Sequence, residues 1–195
     1  MMTPQEALDR LKEGNLRFKP VELTRPNQTA ERRDELITGQ APWAIVLSCA
    51  DSRVVPEMAF DTGMGELFVI RVAGNVANTE STASIEYAVA HLGTPLIIVL
   101  GHQSCGAVTA AIQGGDNGPN LNALLGQITP AVKASESSMV DDVVKVNASL
   151  TAQRLIEDSV IIRDAVAAGN VRIVPAFYAL DGGEVTFLEN DEPAA

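Results

Sequence analysis

Cysteine and basic residues are both scarce in this chain, and long apolar runs are absent. The 195 residues include only two cysteines, Cys49 and Cys105. A chain of this length buries enough surface to fold without disulfides, so we expect both thiols to be reduced. The formal net charge of −11, from 14 basic and 25 acidic residues, opposes phosphate backbones and argues against nucleic acid as a partner. No stretch approaches the ~18 apolar residues of a membrane span, so no membrane partner is expected.

The N-terminal region also lacks a targeting signal. Charged residues are spread through MMTPQEALDRLKEGN, which leaves no room for the apolar segment of a signal peptide, and a cytoplasmic location is expected. The length favours a single domain spanning residues 1–195. Within it we predict an N-terminal helical arm over 1–38, an α/β core over 39–188 and a frayed tail over 189–195.

The hydrophobic pattern alternates between short apolar runs and stretches of helical periodicity. Apolar runs without polar alternation suit strands covered on both faces, as in a parallel sheet. They occur at 43–48, 67–71, 96–100 and 171–177, and 184–188 reads as a last edge strand. Helices are predicted at 4–18 with Thr3 as N-cap, near 29–38, at 81–93 with Gly93 as C-cap, at about 120–134 and at 139–168. Pro175 predicts a sheet edge or an early end for the fourth strand. The alternation predicts an α/β fold with a mainly parallel sheet flanked by helices.

Two segments rich in chemically active side chains follow apolar runs. Cys-Ala-Asp-Ser-Arg (49–53) ends the first, and Gly-His-Gln-Ser-Cys-Gly (101–106) ends the third. Sites in open α/β sheets gather outside the carboxyl ends of the strands, so these side chains can share one rim. In extended backbone the first, third and fifth residues of 49–53 face one way. If Ser104 caps a helix beginning at Cys105, that cysteine and His102 also face one point.

Two thiolates and one imidazole form a catalytic zinc pattern with the fourth position open. The arginine of the first segment can support a bound hydroxide through the aspartate. A plainer interpretation stands beside this one: two inert buried thiols, an ordinary loop histidine and a structural ion pair. The coincidence of all five residues at two strand ends favours the zinc site.

With both motifs in view, the chain resembles the β-class carbonic anhydrases. GELFVIRVAGN (65–75), ASIEYAVAHL (83–92) and EALDRLKEGNLRF (6–18) extend the resemblance, which is strongest over residues 4–113. It implies an α/β fold, the reversible hydration of CO₂ to bicarbonate and a proton, and one zinc ion per subunit. Cys49, His102 and Cys105 would be the zinc ligands. Asp51 would pair with Arg53 and orient the attacking hydroxide; in an inactive form it would bind zinc as fourth ligand.

The resemblance also implies a substrate pocket. Gln40 matches a glutamine that hydrogen-bonds the substrate, often across the subunit interface, and is typical of the plant-like subgroup. Phe68, Ala73 and Tyr87 match positions that line a small apolar CO₂ pocket. Gly106 matches a glycine whose backbone lies beside the zinc. Without the resemblance, Phe68 and Tyr87 read as core residues and Gln40 as a turn residue.

Assembly and alternative activities complete the expectations. Family members pair through the N-terminal arm, so we expect a homodimer or a dimer of dimers, with the arm packed on the partner. A hydrolase of carbonyl sulfide or carbon disulfide would use the same zinc ligands. A non-catalytic zinc or redox module is a third interpretation, disfavoured because structural zinc sites are closed by four protein ligands.

Overall fold

A computed structural model describes residues 2–188, so the tail predicted over 189–195 lies outside the described residues. The α-helices are α1 Pro4–Phe18, α2 Ala30–Glu35, α3 Pro56–Ala59, α4 Thr79–Leu92, α5 Gly106–Gln113, α6 Pro119–Ala134, α7 Val140–Asp158 and α8 Val160–Ala167. The strands are β1 Ala44–Ser48, β2 Leu67–Arg71, β3 Leu96–His102, β4 Arg172–Tyr178 and β5 Val185–Phe187. Short 3₁₀ turns cover Leu36–Thr38 and Ala73–Asn75. None of the helices within this range is both long and apolar enough to cross a membrane.

The five strands form one sheet in the order β2-β1-β3-β4-β5. All neighbours are parallel except β4 and β5, which are antiparallel. Strands β1 and β3 are buried along their whole length, as their continuous apolar sequences predict. Strand β2 is equally apolar but lies at the edge of the sheet and is only half-buried. The predicted α/β fold is confirmed.

Helices cover both faces of the sheet. On one face, α1 and α3 pack against alternate residues of β1, β3 and β4. On the other face, α4, α7 and α8 cover the remaining residues of β1 and β3. A third apolar cluster, built largely from α5, α6 and α7, closes around Cys49 and Cys105 at the carboxyl end of the strands. The two cysteines therefore lie in a closely packed part of the molecule.

The first helix is held firmly by its own chain. Its predicted bounds and its Thr3 N-cap are confirmed, with the capping box completed by Glu6. Ala7, Leu8 and Leu11 are buried against the sheet. The buried side chain of Asn15 donates to two backbone carbonyls and accepts the Val185 amide. The apolar face of α1 is therefore used within the subunit, and packing of the arm on a partner stays a prediction.

Gly14 shows how closely α1 approaches α3. A Cβ at this position would lie 1.9 Å from the carbonyl oxygen of Phe60. Gly14→Ala should therefore destabilise the fold by about 1–3 kcal/mol or more, since overpacking outweighs the gain in helix propensity. Gly126→Ala is the matched control, because Gly126 lies in α6 with open space around its Cα. That variant should gain about 0.5–1 kcal/mol. Thermal unfolding of both variants measures the difference, and equal melting temperatures would contradict the close packing.

Two sequence predictions about the C-terminal half are wrong. The single helix predicted over 139–168 is two helices, because Ser159 adopts an extended conformation and its side chain caps α8 at Ile162. Pro175 neither ends β4 nor lies at an edge, since β4 is paired on both sides. The Pro175 carbonyl accepts the Leu188 amide on the β5 side. In a β-strand, the N–H and C=O groups of one residue point toward the same neighbouring strand. The N–H that Pro175 lacks would therefore face β5, and its absence removes no hydrogen bond to β3.

Candidate metal centre

The two predicted motifs meet at the carboxyl ends of adjacent strands. Cys49 directly follows β1, and His102 is the last residue of β3. Cys105 is the N-cap of α5. Because β1 and β3 are parallel neighbours, these three residues emerge at the same edge of the sheet.

The donor atoms of these residues form one compact cluster. The two Sγ atoms and a ring nitrogen of His102 all lie within 4.8 Å of one another. All three side chains are buried. A Cys₂His set at this spacing suits zinc, and three protein donors leave one coordination position for a water or substrate. The plainer interpretation of inert, unrelated thiols is therefore disfavoured by the geometry.

The histidine ring is oriented for metal binding. His102 Nδ1 lies 2.9 Å from the carbonyl oxygen of Gln103, which can only accept, so Nδ1 carries the proton. The unprotonated Nε2 is then the ring nitrogen that could bind a metal. It is buried and has no hydrogen-bond partner among residues 2–188. An unpartnered buried acceptor beside two thiols fits the chemistry of a metal ligand.

The two thiols also indicate a cation. Hydrogen bonding by the Cys105 thiol, with further help from the Gly74 amide, lowers the pKa of Cys49 despite burial. The same contact with Cys49, followed by burial, raises the pKa of Cys105. A divalent cation bound by both sulfurs would stabilise both as thiolates.

Asp51 and Arg53 form a two-point ion pair beside the cluster. Arg53 Nε donates to Asp51 Oδ1 at 2.9 Å, and Nη2 donates to Oδ2 at 2.7 Å. These hydrogen bonds hold the pKa of Asp51 well below its usual range. Asp51 Oδ2 lies 3.8 Å from His102 Nε2, so the carboxylate borders the donor cluster. The pairing of Asp51 with Arg53 places an oriented acceptor next to the donor cluster.

Further side chains hold the first ligand segment in place. Arg71 donates to the carbonyl oxygens of Cys49 at 3.0 Å and of Asp51 at 2.6 Å. The Gly74 amide donates to Cys49 Sγ at 3.3 Å, and Asn147 Nδ2 donates to the Gly74 carbonyl at 2.9 Å. Sequence reasoning did not assign these contacts. The motif GELFVIRVAGN contains Arg71 and Gly74, but Asn147 lies on α7 and has no local signal.

The prediction that Ser104 caps a helix at Cys105 is wrong. Cys105 itself is the N-cap, and α5 begins at Gly106 without a side-chain cap. Ser104 instead adopts a left-handed conformation with φ of 54°. The turn, rather than a cap, brings His102 and Cys105 to one point.

The predicted pocket residues fall into two groups. Ala73 and Gly106 lie beside the cluster. Ala73 precedes Gly74, whose amide contacts the Cys49 sulfur, and Gly106 follows Cys105. Gln40 precedes β1 and lines a surface cavity with Gly65. The five residues of β1, about 16 Å of strand, lie between Gln40 and Cys49. Phe68 pairs with Ile45 near the start of β2, and its ring lies 6.4 Å from that of Tyr87, which is 48% exposed. The second group therefore lies away from the metal centre of its own subunit.

Comparison with known proteins gives the family. The family described as carbonic anhydrase matches residues 44–185. The chain belongs to the carbonic anhydrase family. Carbonic anhydrase 2 of Mycobacterium tuberculosis is 38% identical over 194 residues, covering 96% of this chain and 94% of that protein. The carbonic anhydrase of Mycolicibacterium smegmatis is 40% identical over 189 residues, covering 93% of this chain and 92% of the relative.

Solved structures agree with the β class. A tetrameric β-carbonic anhydrase of the ascomycete Sordaria macrospora is similar with a TM-score of 0.74 at 26% identity, covering 81% of this chain and 86% of that chain. As a β-carbonic anhydrase, the chain is a zinc enzyme that catalyses the reversible hydration of CO₂ to bicarbonate and a proton. The family finding agrees with a possible zinc site at Cys49, His102 and Cys105.

Proposed function

We propose that Cys49, His102 and Cys105 hold one zinc ion in each subunit and that Asp51 and Arg53 are the catalytic residues beside it. The observation that carries the ligand assignment is the compact cluster with its unpartnered His102 Nε2. Zinc in such a site lowers the pKa of a water molecule and so supplies the hydroxide that CO₂ hydration needs. The protein residues then determine how that hydroxide is oriented and which charges surround it.

Asp51 is the orienting group in this proposal. Its carboxylate can accept a hydrogen bond from the attacking hydroxide, which directs a lone pair of that oxygen toward CO₂. Arg53 keeps the carboxylate ionised and fixes both of its oxygens. The same carboxylate is near enough to serve as a fourth ligand in an inactive form. Its pairing with Arg53 supports the open form as the active one.

We infer that part of the substrate pocket comes from a second subunit. Ala73 and Gly106 would line the pocket from within the subunit. Gln40 lies before β1, Phe68 on β2 and Tyr87 on α4, away from the donor cluster of their own subunit. These three can serve a metal centre only if it belongs to a neighbouring subunit. Gln40 of the partner subunit would then hydrogen-bond the substrate, as in the plant-like subgroup.

The sheet edge supports a homodimer or a dimer of dimers. Strand β2 is apolar, half-buried and unpaired on its outer side among the described residues. Natural proteins rarely leave such an edge uncovered. The similar Sordaria macrospora enzyme is tetrameric. A second copy of this chain is therefore proposed to cover this edge and complete both active sites.

Mixed dimers test the shared pocket. We expect Gln40→Ala and Arg53→Ala to lower CO₂ hydration when each is assayed alone. Unfolding and refolding an equal mixture should restore activity at roughly a quarter of all sites, because half the dimers are hybrids and each hybrid has one intact site. If Gln40 served its own subunit, no hybrid site would be intact and the mixture would regain nothing. Refolded wild-type protein provides the recovery reference.

The alternative hydrolase activity is separated by its product. Carbonyl sulfide or carbon disulfide hydrolysis releases sulfide, whereas CO₂ hydration releases only bicarbonate and a proton. We expect the zinc-loaded enzyme to hydrate CO₂ far faster than it releases sulfide. A reversed ratio of the two rates would assign the chain to the hydrolases.

A cytoplasmic location and a role in carbon utilization complete the proposal. Both cysteines are free thiols, not joined by a disulfide, and both belong to the donor cluster, which suits a reducing compartment.

A further inference from the structure

Ser104 occupies a strained position between two metal ligands. It lies in the segment that joins His102 to Cys105, and its φ of 54° is in the left-handed region. A non-glycine residue there is strained and persists only when its surroundings impose that conformation. The strain is local to the turn that directs both ligands toward one point.

Asp141 is the side chain that holds this turn. The Ser104 amide donates to Asp141 Oδ1 at 2.8 Å, and the two residues are 37 positions apart in the sequence. On the other side of Ser104, Arg53 Nη2 lies 3.4 Å from its carbonyl oxygen, a longer and weaker contact. The peptide groups of Ser104 are thus fixed from α7 and from the Asp51–Arg53 pair.

The position of Asp141 is itself well determined. It lies in the first turn of α7, and Val143 and Val144 of the same helix are buried in the apolar cluster around Cys49 and Cys105. Asn147 in the same helix reaches the Gly74 carbonyl, and the Gly74 amide contacts Cys49. Helix α7 therefore braces the second ligand segment through Asp141 and the first through Asn147.

We propose that Asp141 is a positioning residue for zinc, acting through the left-handed turn at Ser104. Its carboxylate oxygen compensates the strain of that turn, so His102 and Cys105 are aligned before the metal binds. Without it, the turn relaxes and at least one ligand moves away from the shared point. The inference rests on the proposed zinc site, and the experiment separates the two.

The test measures how fast zinc leaves the folded protein. Zinc-loaded wild type, Asp141→Ala, Asp141→Asn and Asp142→Ala are mixed with excess chromogenic chelator, and transfer of the metal is followed by absorbance. Asp142 is the matched control, since it lies in the same helical turn and pairs with Lys145 at 3.7 Å. We expect zinc release from Asp141→Ala to be roughly 10- to 100-fold faster, the usual effect of losing an outer-shell partner. Asp142→Ala should release zinc at the wild-type rate.

Asp141→Asn distinguishes the hydrogen bond from the negative charge. An asparagine carbonyl oxygen can still accept the Ser104 amide, so this variant should retain zinc nearly as well as wild type. Circular dichroism confirms that each variant is folded before release is measured. Equal release from Asp141→Ala and Asp142→Ala would overturn the inference, as would equally fast release from the asparagine and alanine variants. If Cys105→Ser also keeps its zinc, the proposed metal site itself is wrong.

Discussion

Replacing Cys105 with serine is expected to remove zinc and CO₂ hydration together. Cys105 provides one of three donors in a cluster whose ligand atoms lie within 4.8 Å of one another. A serine hydroxyl is a far poorer zinc ligand than a thiolate. The loss of affinity should exceed the 10- to 100-fold effect typical of outer-shell changes. Elemental analysis of the purified variant should find zinc near background, and the hydration rate should fall to that of buffer.

Val108→Ala is the control for damage to the fold at this place. Val108 is fully buried in α5, one turn beyond Cys105, but carries no donor atom. The Val108→Ala variant should have a lower melting temperature than wild type, while zinc remains at one ion per subunit. Full zinc occupancy in Cys105→Ser would refute the ligand assignment.

Replacing Arg53 with alanine is expected to separate metal binding from catalysis. Arg53 holds both oxygens of Asp51 but is not among the clustered donor atoms. Without it, the carboxylate loses the hydrogen bonds that keep its pKa low and its orientation fixed. CO₂ hydration should fall by roughly 10- to 100-fold while zinc stays bound.

Arg163→Ala serves as the control for removal of a surface arginine. Arg163 contacts Asp164 at 3.7 Å in an exposed pair on α8, and such pairs contribute little. Its activity should equal that of wild type. If Arg53→Ala retained full activity with zinc bound, Asp51 would not need its partner and the catalytic assignment would fail.

Much of the fold can be predicted from local patterns. Helix α1 has its predicted bounds because Thr3, Pro4 and Glu6 form a complete start signal in the sequence. The continuous apolar runs of β1 and β3 indicate burial on both faces, which the sheet confirms. The metal cluster follows from the same logic, since its ligands end two strands that lie side by side.

The features that escaped prediction depend on long-range contacts. Ser159 breaks a helix that periodicity alone would continue, and its hydroxyl also donates to Glu86 on α4. Pro175 is tolerated within the sheet because its carbonyl, and with it the N–H that proline lacks, faces β5 and not β3. The left-handed turn at Ser104 is imposed by Asp141, far along the chain. Gln40 cannot be placed at a metal centre within one subunit, so its role depends on a second copy.

Stopped-flow measurement of CO₂ hydration on the zinc-loaded protein is the most direct test of the central claim. The wild-type chain, loaded to one zinc per subunit, is mixed with dissolved CO₂ in buffer containing a pH indicator. We predict catalysed acidification that disappears in Cys105→Ser and after removal of zinc by a chelator, and that returns when zinc is restored to the wild type. Zinc-loaded, folded protein that releases protons no faster than buffer would contradict the account.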